Sequence, residues 1–175
     1  METWDIYDKD RRLTGKTMRR GEAFAPGAYH LVVHVCLFNS RGQMLIQQRQ
    51  PFKEGWPNRW DITVGGSAKV GETSAAAAER EVYEEIGYSL NLNGARPILS
   101  INFENGFDDF FFANSEVTVD RLKLQREEVQ RVKWVHKAEI MAMIASGLFI
   151  PYHRSFIDLL FDMNQYAGIH TGPMD

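Results

Sequence analysis

The stretch of sequence that most limits the fold of this chain is GGSAKVGETSAAAAEREVYEEIGY, which runs from Gly65 to Tyr88. It predicts a glycine loop followed by one short helix, because Thr73 or Ser74 can act as the N-cap and Gly87 stands where a left-handed residue ends a helix. One narrow stripe of this helix is apolar at helical spacing. The residues of the stripe are Ala75, Ala78, Val82 and Ile86. A helix with a single apolar stripe has to pack on another element, and we expect a β-sheet.

The same helix crowds acidic residues on one side. Glu81, Glu84 and Glu85 fall on an arc about 100° wide that adjoins the apolar stripe, and carboxylates three or four residues apart repel each other by a few tenths of a kcal/mol per pair. An acidic run of this kind is ordinarily a solvated face. Here the three carboxylates can converge on one point in front of the helix, and Mg²⁺ prefers such oxygen ligands. We therefore expect a Mg²⁺ site, with Mn²⁺ as the alternative cation.

The fixed spacing of the polar and glycine residues narrows the choice further. After Gly66 come five residues, Glu72, seven residues, Arg80-Glu81-Val82, one residue, Glu84-Glu85, one residue and Gly87-Tyr88. This pattern resembles the Nudix box of the Nudix hydrolase family at every fixed polar and glycine position. Only Tyr88 departs, because the family usually has an aliphatic residue there. The resemblance implies a three-layer α/β/α sandwich around a mixed β-sheet.

The resemblance also implies an activity. Enzymes of this family cleave a nucleoside diphosphate linked to another group, X, and metal ions neutralise the diphosphate while a water attacks phosphorus. By this resemblance Glu81 and Glu85 are the principal metal ligands, and Glu84 is a further ligand or helps to order Arg80. Glu72 would pair with Arg80 and hold the loop against the helix. The expected partner is a small-molecule diphosphate.

Further site residues follow from their positions. Gly65 and Gly66 let the backbone turn and approach a ligand closely. Arg49 and Trp60 are candidates for substrate binding, although strand packing explains them nearly as well. Glu128 lies in the region from which the family often supplies a late carboxylate as a general base or extra ligand, with a solvated loop acid as the alternative.

The rest of the chain shows mixed strand and helix patterns. Strand-like runs lie at 29–38, 43–48, 61–64, 97–103, 109–119 and 129–136, and helical patterns at 137–146 and 152–166. The first two runs flank a short glycine-containing turn and predict a hairpin. We therefore predict an α/β fold with a single Nudix domain over residues 29–175, preceded by an N-terminal extension, residues 1–28, packed on it.

Segments around the box resemble one branch of the superfamily. WDIYD, YHLVVHVCLFN, LIQQR and WPNRWDITVGG resemble isopentenyl-diphosphate isomerase and its hydrolase relatives. Isomerisation is therefore the first alternative function, although such enzymes read V-C-G-H where this chain has Val64, Gly65, Gly66 and Ser67. The catalytic cysteine and the neighbouring metal-binding histidine are both missing. The second alternative is a non-catalytic ligand-binding module, which the complete set of carboxylates argues against.

Composition limits the other classes of function. The 175 residues carry a net charge of −3 with a pI near 6.0, which provides no basic surface for nucleic acid. Cys36 is the single cysteine, so a disulfide within the chain is impossible. No apolar run approaches the roughly 20 residues that span a bilayer, and the first residues lack a signal-peptide pattern. We expect a cytoplasmic protein without a nucleic-acid or membrane partner, and consider a homodimer.

Overall fold

The computed structural model describes residues 2–166 and 168–170 of the chain, so residues 167 and 171–175 of the predicted domain lie outside it. The strands of the described part are β1 (Thr3–Tyr7), β2 (Leu13–Arg19), β3 (His30–Phe38), β4 (Met44–Arg49), β5 (Trp60–Asp61), β6 (Val64–Ser67), β7 (Leu99–Phe103), β8 (Gly106–Asn114) and β9 (Val129–Val135). The α-helices are α1 (Ser74–Ile86), α2 (Lys137–Ala145) and α3 (Arg154–Gln165).

A mixed sheet forms the middle layer. Its main path is β5-β4-β3-β8-β7, and β6 and β9 pair with β3 and β4. The strands β3 and β8 run parallel, while the other pairs are antiparallel. Because β8 occupies one side of β3, both β4 and β6 lie on the other side, β4 at Phe38 and β6 along 32–35. The sheet therefore divides between β4 and β6.

Helices cover both faces of this sheet. On one face, Val33 and Val35 of β3 pack in the same apolar cluster as Ala78 and Val82 of α1. On the other face, Cys36 and Phe38 of the same strand join residues of α2 and α3. The alternation follows from the two-residue period of a strand. The α/β/α sandwich with a mixed sheet is thus confirmed, and no helix among the described residues is long and apolar enough to cross a membrane.

Helix α1 ends as predicted, but its buried face is wider than the predicted stripe. The Thr73 side chain accepts a hydrogen bond from the Ala76 backbone N–H, and Gly87 takes a left-handed φ of 65°. Ala77 is completely buried although the predicted stripe omits it. At 100° per residue, Glu85 falls between Ala77 and Ala78 on this arc. The helix therefore buries one of its carboxylates in the middle of its packed face.

The predicted strand at 61–64 is two short strands, β5 and β6. Between them the Thr63 hydroxyl donates to the Leu45 carbonyl at 2.5 Å and accepts from the Leu37 N–H at 2.9 Å. This side chain thus links β3 and β4 beside the division of the sheet. The predicted strand at 109–119 was placed too late, because β8 begins at Gly106 and leaves the sheet after Asn114.

The N-terminal residues form a separate two-stranded antiparallel sheet of β1 and β2, which the sequence did not predict. Trp4, Ile6 and Met18 make its own small apolar cluster. An isolated bridge between Tyr7 and Tyr29 joins it to the start of β3. The domain boundary near residue 28 stays a prediction.

Candidate active site

The loop and helix of the box form one wall of a polar cavity of about 330 Å³, called the carboxylate cavity below. The predicted site residues that line it are Arg49, Gly65, Gly66, Arg80, Glu81, Glu84, Glu85 and Glu128. They come from β4, β6, α1 and the turn before β9, so the cavity lies where the sheet divides. A wider depression of about 840 Å³, beside Tyr88 and residues 114–118, contains none of these side chains.

Arg80 pairs with two of the acidic side chains of α1 and with one in the box loop. Its Nε and Nη2 atoms donate to both carboxylate oxygens of Glu72 at 2.6 and 2.8 Å. Its Nη1 atom donates to Glu81 at 2.7 Å and to Glu84 at 3.0 Å. A guanidinium fork matches carboxylates in this way, whereas a lysine could not. The predicted pairing with Glu72 is therefore present, and Nη2 also holds the loop by donating to the Ser67 carbonyl at 3.1 Å.

Glu85 is buried without a cation beside it. Among the described residues its carboxylate accepts a hydrogen bond from the Gln47 side-chain amide at 2.8 Å, but no lysine, arginine or histidine pairs with it. Burial raises the pKa of Glu85 well above its usual range, and the charge of Glu81 raises it further. Burial also raises the pKa of Glu81, although Arg80 opposes the shift. Two carboxylates one helical turn apart thus have a strained ionised state that a cation would relieve.

Glu81, Glu84 and Glu85 do not meet at one point as the sequence led us to expect. In residues 2–166 and 168–170, no three His, Cys, Asp or Glu side chains are grouped closely enough to hold a metal ion. The reason is that Arg80 holds Glu81 and Glu84, while Glu85 contacts Gln47. The donor set still fits a hard divalent cation, because Glu81 and Glu85 supply carboxylate oxygens in a polar cavity.

Gly66 allows the loop of the box to lie close against α1. A Cβ atom at this position would lie 2.3 Å from a carboxylate oxygen of Glu81, a distance that real structures exclude. The missing side chain therefore leaves room for the Glu81 carboxylate against the backbone of β6. Gly65 faces the opposite side of the sheet, where a Cβ atom would lie 2.7 Å from the His34 ring nitrogen Nδ1.

Trp60 is the predicted site residue that the structure keeps out of the carboxylate cavity. Its ring packs against the apolar cluster on the α2 and α3 face, with Lys133 Nζ 4.8 Å from the ring centroid. Its neighbour along β5, Asp61, instead accepts a hydrogen bond from the Tyr152 hydroxyl at 2.8 Å and lies 3.8 Å from Nη1 of Arg49. Strand packing, the alternative explanation, accounts for Trp60.

Sequence reasoning missed a residue that lines the cavity and another that is buried beside it. Gln47 is buried beside Glu85, whereas Gln48 bonds to Asn58 and Arg131. The two adjacent glutamines in the run LIQQR were a sequence signal for a polar contact, because successive side chains of a strand point to opposite faces and one of the two has to face α1. Lys53, which pairs with Glu128 across the cavity, lies in a loop without a readable motif.

The N-terminal sheet also contributes to the wall of the cavity. Glu2, Trp4 and Arg20 line it, and an ion pair of 3.0 Å joins Arg20 to Glu2. The Val70 N–H in the box loop donates to the Thr3 carbonyl at 3.1 Å. The N-terminal residues thus take part in the site, which nothing in their charge and glycine pattern indicated.

Comparison with known proteins identifies the family. A family model described as the NUDIX domain matches residues 28–160, well over half of the chain. The chain belongs to the Nudix family. An uncharacterized Nudix hydrolase of Listeria monocytogenes is 52% identical over 170 residues, covering 97% of this chain and 99% of that protein. This match places the Nudix protein described here among the hydrolases of the family.

Two further likenesses are more distant. The isopentenyl-diphosphate Delta-isomerase of Streptomyces coelicolor is 30% identical over 162 residues, covering 88% of this chain and 81% of that enzyme. The crystal structure of DR0079 from Deinococcus radiodurans aligns with a TM-score of 0.73 at 23% identity, covering 90% of this Nudix chain and 98% of the other. At that identity the structural likeness shows the fold alone.

Proposed function

We propose that this Nudix hydrolase cleaves the diphosphate linkage of a nucleoside diphosphate joined to another group, or of a related small diphosphate, and that the reaction depends on Mg²⁺. Mn²⁺ is the alternative cation. The observation that carries the proposal is the burial of Glu85 in the carboxylate cavity without a cationic partner among the described residues. Buried charges in proteins are paired or coordinate metals.

The side chains that would hold the cation are Glu81 and Glu85, with Glu84 as a further ligand. When bound, the divalent cation supplies charge neutralisation for the diphosphate and polarises a water. Arg80 holds Glu81 and Glu84 in place and reduces the repulsion between their carboxylates. The amide of Gln47 orients the Glu85 carboxylate.

The cationic rim of the cavity would bind the diphosphate. Arg20, Arg49, Lys53 and Lys69 line it around the carboxylates. Arg49 is the candidate for direct phosphate binding, because its Nη1 atom lies 3.8 Å from Asp61, too far for a hydrogen bond. Glu128, in the turn before β9, also lines the cavity, and we assign it the role of accepting the proton from the attacking water.

Isomerisation is the second candidate, favoured by the 30% identity to an isomerase. Moving a double bond requires an acid on one face of the substrate and a base on the other. Gly65, which stands where such enzymes carry a cysteine, has no side chain, and the His34 ring fills the space that a side chain would need. The geometry therefore favours hydrolysis.

A panel of diphosphate compounds incubated with Mg²⁺ tests the proposal. We expect at least one nucleoside diphosphate derivative to be cleaved, with activity removed by EDTA and restored by Mg²⁺. The variant Glu85→Gln should be inactive on that compound, whereas Glu127→Gln, which removes an exposed acid, should retain the wild-type rate. Complete inertness of the wild type toward the panel would favour a non-catalytic binding module.

A further inference from the structure

A second cavity lies on the opposite face of the sheet from α1. It has a volume of about 340 Å³ and shares Arg49 with the carboxylate cavity. We call it the aromatic cavity, because four of its wall residues are Trp56, Phe103, Phe110 and Tyr152. Its volume is at the lower end of the roughly 300–1,000 Å³ range of small-ligand pockets.

One wall of the aromatic cavity is flat. The His34 ring stacks on the Phe110 ring with centroids 4.6 Å apart and planes 15° from parallel. Trp56 lines the cavity with half of its surface (51%) exposed. Its φ of 50° is in the left-handed region, which a bulky residue rarely adopts. The loop thus holds a large ring at the cavity in a conformation that costs free energy, a pattern found at binding sites.

Two carboxylates, those of Asp61 and Asp108, line the cavity beside Arg49. Oδ1 of Asp61 accepts from the Tyr152 hydroxyl and the Ile62 N–H, both at 2.8 Å. Oδ1 of Asp108 lies 3.0 Å from Nε2 of His34. The second oxygen of each carboxylate has no donor within hydrogen-bonding distance among the described residues. These two oxygens are available to a ligand.

Arg49 connects this cavity to the proposed reaction site. Its Nε atom donates to the Gly55 carbonyl at 2.9 Å, which fixes the guanidinium at the division between β4 and β6. A phosphate held by Arg49 would therefore have the carboxylates of the box on one side and the aromatic cavity on the other.

We propose that the aromatic cavity binds the nucleobase of the substrate, and that it selects a base whose edge carries an amino group. This inference rests on the proposed hydrolase function, because it assigns the group attached to the diphosphate. The base would lie between Trp56 and the His34 ring, which covers Phe110, and its amino N–H groups would donate to Asp61 and Asp108. A base with a carbonyl at the same position would place its oxygen, an acceptor, next to the carboxylate oxygens, so that no hydrogen bond could form.

The charges around the aromatic cavity favour a neutral ring over a charged ligand. A second phosphate group would be repelled by the two carboxylates. A quaternary ammonium group would suit aromatic walls and acids, but Arg49 places a positive charge at the mouth of the cavity. A planar neutral base satisfies the open acceptors without a charge conflict.

Metal-free equilibrium binding tests the inference separately from hydrolysis. Calorimetry in EDTA compares AMP with IMP, and CMP with UMP, because each pair differs by an amino group replaced by a carbonyl. We expect the amino-bearing member of each pair to bind about tenfold more tightly. Phosphocholine, which carries a quaternary ammonium group, should not compete.

Matched variants locate the binding site. Trp56→Ala should weaken AMP binding about tenfold, whereas Phe52→Ala, which removes a more exposed ring from the same loop, should leave it unchanged. Asp108→Asn replaces one acceptor with a donor and should reduce or reverse the preference for AMP over IMP. The thermal unfolding midpoints of Trp56→Ala and Asp108→Asn should match that of the wild type, since the side chains of Trp56 and Asp108 are both partly exposed.

Three results would overturn the inference: equal binding within both pairs, displacement of AMP by phosphocholine, or absence of measurable nucleotide binding. Binding that is indifferent to Trp56→Ala would do the same. If nucleotide binding behaves as expected but no diphosphate is cleaved with Mg²⁺, the proposed hydrolysis is refuted and the base-binding site is supported. If cleavage occurs without base discrimination, the base site fails and the hydrolase stands.

Discussion

At the scale of single residues, Arg80 explains how α1 tolerates its acidic sequence. Its guanidinium contacts Glu72, Glu81 and Glu84 at once. The sequence suggested that a metal ion offsets this crowded charge, whereas Arg80 already offsets part of it within the chain. Glu85 is the exception, because its carboxylate lies beyond the reach of the fork. The need for a cation is therefore concentrated at Glu85 and Glu81.

Replacement of Arg80 by alanine should lower both stability and activity. Three carboxylates would lose their cation, and breaking a largely buried ion pair costs about 3 kcal/mol. Urea unfolding measures the loss. Arg80→Lys should recover only part of it, because an ammonium group cannot form the fork. The control is Arg96→Ala, which removes an exposed arginine, and a wild-type unfolding midpoint for Arg80→Ala would disprove the role of the fork.

The carboxylates and Arg80 were predictable because the box fixes their spacing, whereas Gln47 and Trp60 depended on strand direction. Shifting a strand by one residue moves each side chain to the other face. Position in the sequence alone does not show whether Gln47 or Gln48 faces α1. It also does not show whether Trp60 or Asp61 lies beside Arg49. These choices depend on pairing with distant strands.

At the scale of elements, Asp109 ties the N-terminal sheet to the body of the protein. Its buried carboxylate accepts two hydrogen bonds from Arg11, at 3.0 and 2.8 Å. The Ser74 hydroxyl at the start of α1 donates at 2.7 Å, and the Ser100 hydroxyl of β7 donates at 2.5 Å. One side chain on β8 thus contacts three other parts of the chain.

The variant Asp109→Asn should lose about 1.5–3 kcal/mol of unfolding free energy at pH 7. Burial opposes ionisation of Asp109, but the hydrogen bonds from Arg11, Ser100 and Ser74 outweigh it and hold the pKa below its ordinary value. The contribution is therefore complete above the unfolded-state pKa of about 3.9 and is lost as the pH falls through the lower folded-state value.

Urea unfolding of Asp109→Asn and the wild type at pH 7 and near pH 3 measures this dependence. The difference in unfolding free energy should shrink at the lower pH. Asp10→Asn, at an exposed turn, should show no comparable difference. A gap between Asp109→Asn and wild type that grows on acidification would contradict the assignment.

The N-terminal strands were missed for a physical reason. In β2, all residues except Met18 are exposed, so the run LTGKTMR lacks the apolar alternation that signals a strand. Its pairing with β1 and its cover by Trp4 become visible only in three dimensions. In contrast, the hairpin of β3 and β4 and the caps of α1 follow from local sequence and were confirmed.

At the scale of the whole molecule, the fold follows from family membership, while we expect substrate choice to depend on loops without a common motif. The loop from 50 to 59 supplies Lys53 to one cavity and Trp56 to the other. Cytoplasmic location and a homodimer stay predictions from the sequence.

We predict that the protein does not isomerise isopentenyl diphosphate. The reason is that Gly65 provides neither acid nor base, and Cys36 is completely buried with its thiol pKa raised by burial. Incubation in heavy water with Mg²⁺ should leave the allylic position of isopentenyl diphosphate free of deuterium. Deuterium exchange at enzymatic rates would replace hydrolysis by isomerisation as the function.

The most direct test of the central claim is Mn²⁺ binding, followed by electron paramagnetic resonance, in parallel with turnover of the best substrate. We expect the wild type to bind Mn²⁺, and Glu81→Gln and Glu85→Gln each to lose binding and at least about 100-fold in turnover, the scale of a lost electrostatic contribution to catalysis. Glu79→Gln removes the same charge from α1 outside the cavity and should leave both unchanged. Wild-type Mn²⁺ affinity and turnover in Glu81→Gln and Glu85→Gln would contradict the account.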